Sequence, residues 1–327
     1  MTEIIDLKNI EKCIEAMKKG DPIIIPTETV YGIGALAFDV QSVEKVYELK
    51  KRDKKKSLIV LVDSMEMLNR IVKKVTYVEE KLIKAFWPGP LTIIFESNGS
   101  LPSNVTGGKD TIAVRIPDNA IDLELIHRLN QPITAPSANI SGKLSITEAM
   151  TAYQEFNGKV PYILDGGKSS IGLESTIVKV KKDIVSVLRI GKILPEDIEK
   201  LGLKVEIIKD EMEKKTHYQM DKKVILISGT LEEQYHKMKE YIENDKNETI
   251  DIIGFKENHI LLRESVHQYM DVGYVEEVEN FSKNLFQMLY TCDKSKADTI
   301  LIELPEEKGF GGIVIDKLKE VTNHDIL

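Results

Sequence analysis

The chain has 327 residues, 42% of them apolar and 30% charged, with a formal net charge of -8. That length suits two domains with ordinary cores, and the acidic balance speaks against broad nonspecific attraction to nucleic acid. No apolar run is long enough for a membrane span, MTEIIDLKNIEKCIE lacks the pattern of a secretion signal, and two cysteines with six scattered histidines leave no structural zinc site, so a cytoplasmic protein is expected.

In chain order, a helix is predicted from about Leu7 to Lys19, ending at Gly20, with Ile10, Cys13, Ile14 and Met17 as its apolar stripe and Cys13 therefore a core thiol. A strand follows at Pro22–Pro26, then a loop, then a helix marked by Val43, Val46, Tyr47 and Lys50 with Ser42 as N-cap. Leu58–Val62 reads as a strand covered on both faces. The stiff turn Phe86-Trp87-Pro88-Gly89-Pro90 feeds a strand at Leu91–Phe95, and further strands are expected at Ile112–Ile116, Pro132–Thr134, Tyr162–Asp165 and Thr176–Val180. KVEIIKDEMEKKTHYQMDK, from Lys204 to Lys222, is polar enough to read as a linker. Beyond it strands at Val224–Ile227, Thr249–Phe255 and Thr299–Leu304 alternate with helices at Leu231–Glu243, Phe281–Lys294 and Ile313–Thr322, the signature of a small open parallel sheet.

Several segments could carry chemistry. Lys50-Lys51-Arg52-Asp53-Lys54-Lys55-Lys56 is the densest charge run; it is either a solvated helix end or a set of cations converging on a polyphosphate. Gly32, Gly34 and Ala37 imitate a dinucleotide fingerprint, but the helix starts too far on, so that reading is rejected. In Thr111-Ile112-Ala113-Val114-Arg115-Ile116 the alternation puts Arg115 opposite the apolar face, where it is a surface residue or a bidentate carboxylate ligand. Ser145 and Glu148 form a capping-box pattern, compatible with phosphate binding at a helix start. Ser175 lacks the nucleophile elbow and any histidine base, which argues against a hydrolase triad. These residues describe an α/β enzyme with a cationic, hydroxyl-rich nucleotide cleft.

Taken together, PTETVYGIG, the K-x-R of Lys50 and Arg52, FWPGPLT, TIAVRIP, PITAPSANISG, DGG, GLEST and LRIG resemble, in family order, the YrdC-like threonylcarbamoyl-AMP synthases over about Asp21 to Lys192. The remainder, with NLFQML and GFGGIVIDKLKE, is similar to the long form of that family. The resemblance implies an α/β fold: a YrdC-like mixed twisted sheet domain at 1–203, a linker at 204–222, and a small Rossmann-like parallel-sheet domain at 223–327. It implies a nucleotidyltransferase that makes L-threonylcarbamoyladenylate and pyrophosphate from L-threonine, bicarbonate or CO2, and ATP. Mg2+ would accompany ATP, with no structural metal. The product would pass to downstream tRNA-modification proteins for threonylcarbamoyl-adenosine formation; tRNA binding is left open and not required, and no membrane is involved.

Carried over residue by residue, the resemblance gives threonine to Thr29, Arg115, the backbone at Ala135 and Ser175. It gives ATP to Lys50, Arg52, Lys56, Thr111, Ser137, Ser145 and Arg189, with Tyr218 of the His217-Tyr218 pair reaching over from the linker. No covalent nucleophile is implied. The chain departs from the family at Leu61, where a histidine is usual, at Ser57, where a proline is usual, and in the residues flanking His217-Tyr218. A non-catalytic RNA-binding module is the rival from another class, and a carbamoyl transferase would require additional zinc-finger-like cysteines.

Overall fold

The computed structural model describes residues 1–208, 220, 222–322 and 324–327. The chain divides into two compact units, Met1–Asp210 and Glu211–Leu327. His217, Tyr218 and most of the expected linker lie outside the described residues.

The first unit is built on one mixed sheet. Its strands are β1 (Glu3–Ile5), β2 (Ile23–Ile25), β3 (Gly32–Leu36), β4 (Ile59–Leu61), β5 (Leu91–Glu96), β6 (Thr111–Arg115), β7 (Ile133–Thr134), β8 (Tyr162–Leu164), β9 (Thr176–Lys181), β10 (Ile184–Arg189) and β11 (Lys204–Ile207). Their order across the sheet is β1-β8-β2-β3-β7-β4-β6-β5-β9-β10-β11. Ile23, Ile24 and Ile25 are all wholly buried, as a continuous apolar run must be when both sheet faces are covered. The helix Ile10–Lys18 buries Ile10, Cys13, Ile14 and Met17, the stripe its spacing predicts, and Gly20 closes it at a φ of 84°.

Some elements differ from the sequence reading. The stretch after Pro26 is not all loop, because Gly32–Leu36 pairs antiparallel with β2 and β7. Its glycines and alanine weaken the apolar signal, yet they let neighbouring backbone and side chains approach: a Cβ on Gly34 would lie 3.2 Å from Ile25. β9 and β10 form a hairpin whose two turn residues, Lys182 and Asp183, both have positive φ. Lys204–Ile207, read as the start of the linker, instead pairs with β10 as the edge strand. The helix Val40–Lys50 starts earlier than expected, so Asp39 is its N-cap, accepting from the Gln41 amide, and Ser42 donates to Asp39.

The second unit holds a parallel sheet of β12 (Lys223–Ile227), β13 (Ile250–Gly254), β14 (Gln268–Asp271), β15 (Thr299–Glu303) and β16 (His324–Ile326), in the order β14-β13-β15-β12-β16. Every pairing in it is parallel. The helix Leu231–Asn244 carries a complete capping box from Thr230 and Glu233. No helix among the described residues is long and apolar enough to cross a membrane.

Candidate functional site

β2, β7 and β8 run in the same direction, so the loops that follow them, at 26–31, 135–147 and 165–175, leave the same edge of the sheet. Main-chain hydrogen bonds tie the three together. Tyr31 N donates to Ile146 O at 2.8 Å, Ala138 N to Tyr31 O at 2.6 Å, Ile33 N to Pro136 O at 2.8 Å, Ile171 N to Glu28 O at 2.8 Å, Gly172 N to Thr29 O at 3.1 Å and Ser169 N to Thr147 O at 2.9 Å. The Tyr31 hydroxyl donates to Gly167 O at 2.7 Å, a further tie. The amides and carbonyls in these bonds are thus satisfied between the loops.

Thr29 is buried and its hydroxyl lies 2.8 Å from that of Thr27, which in turn accepts from the amides of Thr29 and Val30. Arg115, at the end of β6, is also buried; its Nη1 donates to Glu28 in an ion pair with both side chains about 5% exposed or less. The Nε of Arg115 and the Oε2 of Glu28 are buried without a partner. Asp122, in the first turn of the helix Ala120–Leu129, is fully buried with neither carboxylate oxygen bonded. Burial, then the charge of Glu28, holds its carboxyl well above the usual range, opposed by Arg115. Ala135 donates its amide to Ile59 O at 2.9 Å.

The cationic residues fall into three kinds. Arg52 is largely covered: Nη2 donates to Ser57 O at 3.1 Å, Nε is buried without an acceptor, and burial and the charge of Arg189 both lower its affinity for a proton. Arg189 donates to Ser175 through Nε, 2.9 Å from its carbonyl, and Nη2, 3.2 Å from its Oγ. Lys56 is exposed, and Thr111 is half-buried in β6 opposite Glu96.

Lys50 behaves differently. It is 1% exposed, and its ammonium donates to the carbonyls of Ser137 and of Asn139, the latter at 2.8 Å, and to Asn139 Oδ1 at 3.1 Å. Burial and the nearby Arg52 charge pull its pKa down to about 7, opposed by Glu174. Three acceptors for three N–H donors leave this ammonium engaged inside the protein. Ser137 is fixed in the same loop, its hydroxyl donating to Asn139 at 2.5 Å.

Ser145 does not cap the following helix. That helix begins at Ala149 with Glu148 as its N-cap residue, lacking a side-chain cap bond, and Ser145 Oγ donates to Glu174 at 2.6 Å instead. Ser175 shares a 2.7 Å hydrogen bond with Thr92. Gly191 is required here by packing, since a Cβ on it would lie 2.3 Å from Glu174 O and 2.7 Å from Thr176 N.

The structure thus brings Arg52, Arg189 and Ser175 together, ties Lys50 to Ser137, and sets Arg115 next to Glu28 and Asp122. The sequence reading singled out neither acid. Glu28 sits inside the quoted PTETVYG, masked by its hydroxyl neighbours. Asp122 did carry a signal: it shares an i, i+3, i+4, i+7 stripe with Leu125, Ile126 and Leu129, all buried. Among the described residues no group of three His, Cys, Asp or Glu side chains could hold a metal ion.

Comparison with known proteins covers both units. A family model of the Sua5, YciO and YrdC proteins, described as "Telomere recombination", matches residues 15–191, and one described as "Threonylcarbamoyl-AMP synthase, C-terminal domain" matches residues 190–320. A threonylcarbamoyl-AMP synthase of Pyrococcus abyssi is 36% identical, covering 95% of this chain and 93% of its own. One of Bacillus subtilis is 30% identical over 97% of this chain and 94% of its own. The crystal structure of P. abyssi Sua5 complexed with L-threonine is 31% identical, with a TM-score of 0.87 over 100% of both chains.

Proposed function

The chain belongs to the Sua5, YciO and YrdC family in its two-domain, threonylcarbamoyl-AMP synthase form, and on that premise we propose how its residues carry out the reaction. The enzyme forms L-threonylcarbamoyladenylate and pyrophosphate from L-threonine, bicarbonate or CO2, and ATP. The observation that carries the assignment of the site is that two guanidinium groups, of Arg52 and Arg115, each keep a buried Nε–H without an acceptor. Such donors fit anionic oxygens.

Threonine's α-ammonium loses a proton, and the free amine takes up CO2 to give a carbamate with release of a second proton. A carbamate oxygen attacks the α-phosphorus of ATP, and pyrophosphate leaves. This is chemistry of positioning and charge neutralisation, and it suits a site of Arg, Ser and Thr without a nucleophile. Arg115 grips the threonine carboxylate, while Thr29, the Ala135 backbone and Ser175 fix the rest of the amino acid. Arg52 and Arg189 neutralise the phosphates, with Lys56 adding charge from the exposed side and Thr111, Ser137 and Ser145 offering hydroxyls. Lys50 acts through the loop it holds, fixing Ser137, rather than by touching phosphate. Tyr218, which the resemblance also gives to ATP, lies outside the described residues. Mg2+ would accompany ATP and help to neutralise its phosphates. The product goes to proteins that transfer the threonylcarbamoyl group to tRNA.

The test is pyrophosphate release from ATP, Mg2+ and bicarbonate with threonine, serine, valine or no amino acid. Release that requires both threonine and bicarbonate is expected. A folded protein that releases none and binds tRNA in a salt-sensitive manner would instead be an RNA-binding module.

A further inference from the structure

The Arg115 guanidinium is held at one nitrogen only. Nη1 donates to Glu28, Nε is buried with no acceptor, and Nη2 has no acceptor among the described residues. Nε and Nη2 make up the side-on edge of the guanidinium, which can take a carboxylate through two parallel N–H···O bonds. Glu28 is half used in the same way: Oε1 receives Arg115, and Oε2 is buried with no donor. One ion pair therefore carries an unused pair of donors and an unused acceptor oxygen.

The charges decide what fits. Arg115 and Glu28 cancel, and burial together with the charge of Glu28 favours the neutral form of Asp122 beside them. A bare carboxylate on Arg115 would leave this buried set negative, which a low-dielectric surrounding penalises. An α-amino acid zwitterion carries both signs on groups attached to one Cα and leaves the set neutral. An ionised oxygen such as Oε2, buried with no donor, is costly until one arrives.

We propose that Glu28 is the residue that selects for the substrate's α-ammonium group, Oε2 accepting from it while the side-on edge of Arg115 holds the α-carboxylate. The inference rests on the assignment of Arg115 to the threonine carboxylate. It separates Glu28 from a mere clamp on Arg115, because a clamp would serve every carboxylate equally.

The experiment is titration calorimetry on the full chain with L-threonine and with 3-hydroxybutyrate, which keeps the carboxylate and hydroxyl but lacks the amine. The wild type should bind threonine about a hundredfold more tightly than 3-hydroxybutyrate, the scale of a buried charged hydrogen bond. Glu28→Gln should weaken threonine by about ten- to a hundredfold and leave 3-hydroxybutyrate unchanged or tighter. Equal weakening of both ligands would reduce Glu28 to a clamp and overturn the proposal. If Glu28→Gln proves unfolded by circular dichroism, the wild-type ratio decides, and comparable affinities overturn it. Arg115→Ala should weaken both ligands; unchanged binding of both would remove the Arg115 assignment itself, and with it the proposal.

Discussion

Arg189 and Ser175 are joined twice, Nε to the serine carbonyl at 2.9 Å and Nη2 to its hydroxyl at 3.2 Å. A residue proposed for the phosphates thus orients one proposed for the amino acid. Arg189→Lys keeps the charge but loses the planar fork whose two separate nitrogens reach the serine carbonyl and hydroxyl together. It should cut kcat/KM by about ten- to a hundredfold and raise KM for threonine as well as for ATP. Steady-state kinetics with each substrate varied in turn checks this; a change confined to ATP would show that the two subsites are independent.

The buried Lys50 ammonium gives a pH dependence whose sign can be worked out. Its folded pKa, about 7, lies below its ordinary value of 10.5. Between those values the unfolded chain binds a proton that the folded one has released, so stability from this group rises with pH across the window, by at most about 1.4 kcal/mol per unit. Below pH 7 both states are protonated and the full burial cost remains. The three acceptors around Nζ favour the charged form and reduce the slope without reversing it. Lys50→Met should flatten the rise in melting temperature between pH 7 and about 9 and lower turnover by loosening the 137–141 loop. An unaltered pH–stability curve would mean that Lys50 stays charged throughout.

Asp122 has the opposite linkage. Its folded pKa is raised, so the folded state keeps a proton that the unfolded chain releases above its ordinary value of 3.8. Stability is therefore lost as pH climbs from that value towards the folded pKa. Asp122→Asn removes this cost and should raise the melting temperature at neutral pH, each kcal/mol recovered being worth about 2–4 °C. Thermal melts at pH 4 and pH 7 separate the outcomes: a gain at pH 7 but not at pH 4 is expected, and a loss at both would show the acid to be a needed hydrogen-bonding group.

Gly191→Ala should destabilise the first unit by about 1–3 kcal/mol, because its methyl would meet backbone atoms on Glu174 and Thr176 that cannot turn aside. It should also reduce turnover, since those atoms flank Ser175. Gly312→Ala is the internal control. No atom lies within 4 Å of a Cβ there, and the residue is inside the helix Phe310–Val321, so a gain of up to about 1 kcal/mol is expected. Denaturant titration of both variants distinguishes a packing effect from a general intolerance of alanine.

The apolar runs and stripes made much of this fold readable. Ile23–Ile25 and the Ile10–Met17 stripe announce their burial, and strands alternating with helices beyond Lys222 announce a parallel sheet. What escaped is set by partners far along the chain. Gly32–Leu36 is a strand because β2 and β7 flank it, although glycine and alanine give it little strand preference. Ser145 looks like a cap until Glu174, 29 residues away, claims its hydroxyl. Lys50 looks like one cation in a solvated run until the loop at 137–139 folds over it. The hydroxyls and arginines of the site were legible as types; which of them face each other was not.

The loops at 26–31, 135–147 and 165–175 hold one another mainly through main-chain amides and carbonyls. Such bonds are indifferent to which side chain each residue bears, so the contour they trace can be inherited while the residues lining it drift. Only proline, which lacks the N–H, would unpick it. A lineage could therefore retune what these walls recognise, one side chain at a time, without first having to rebuild the walls.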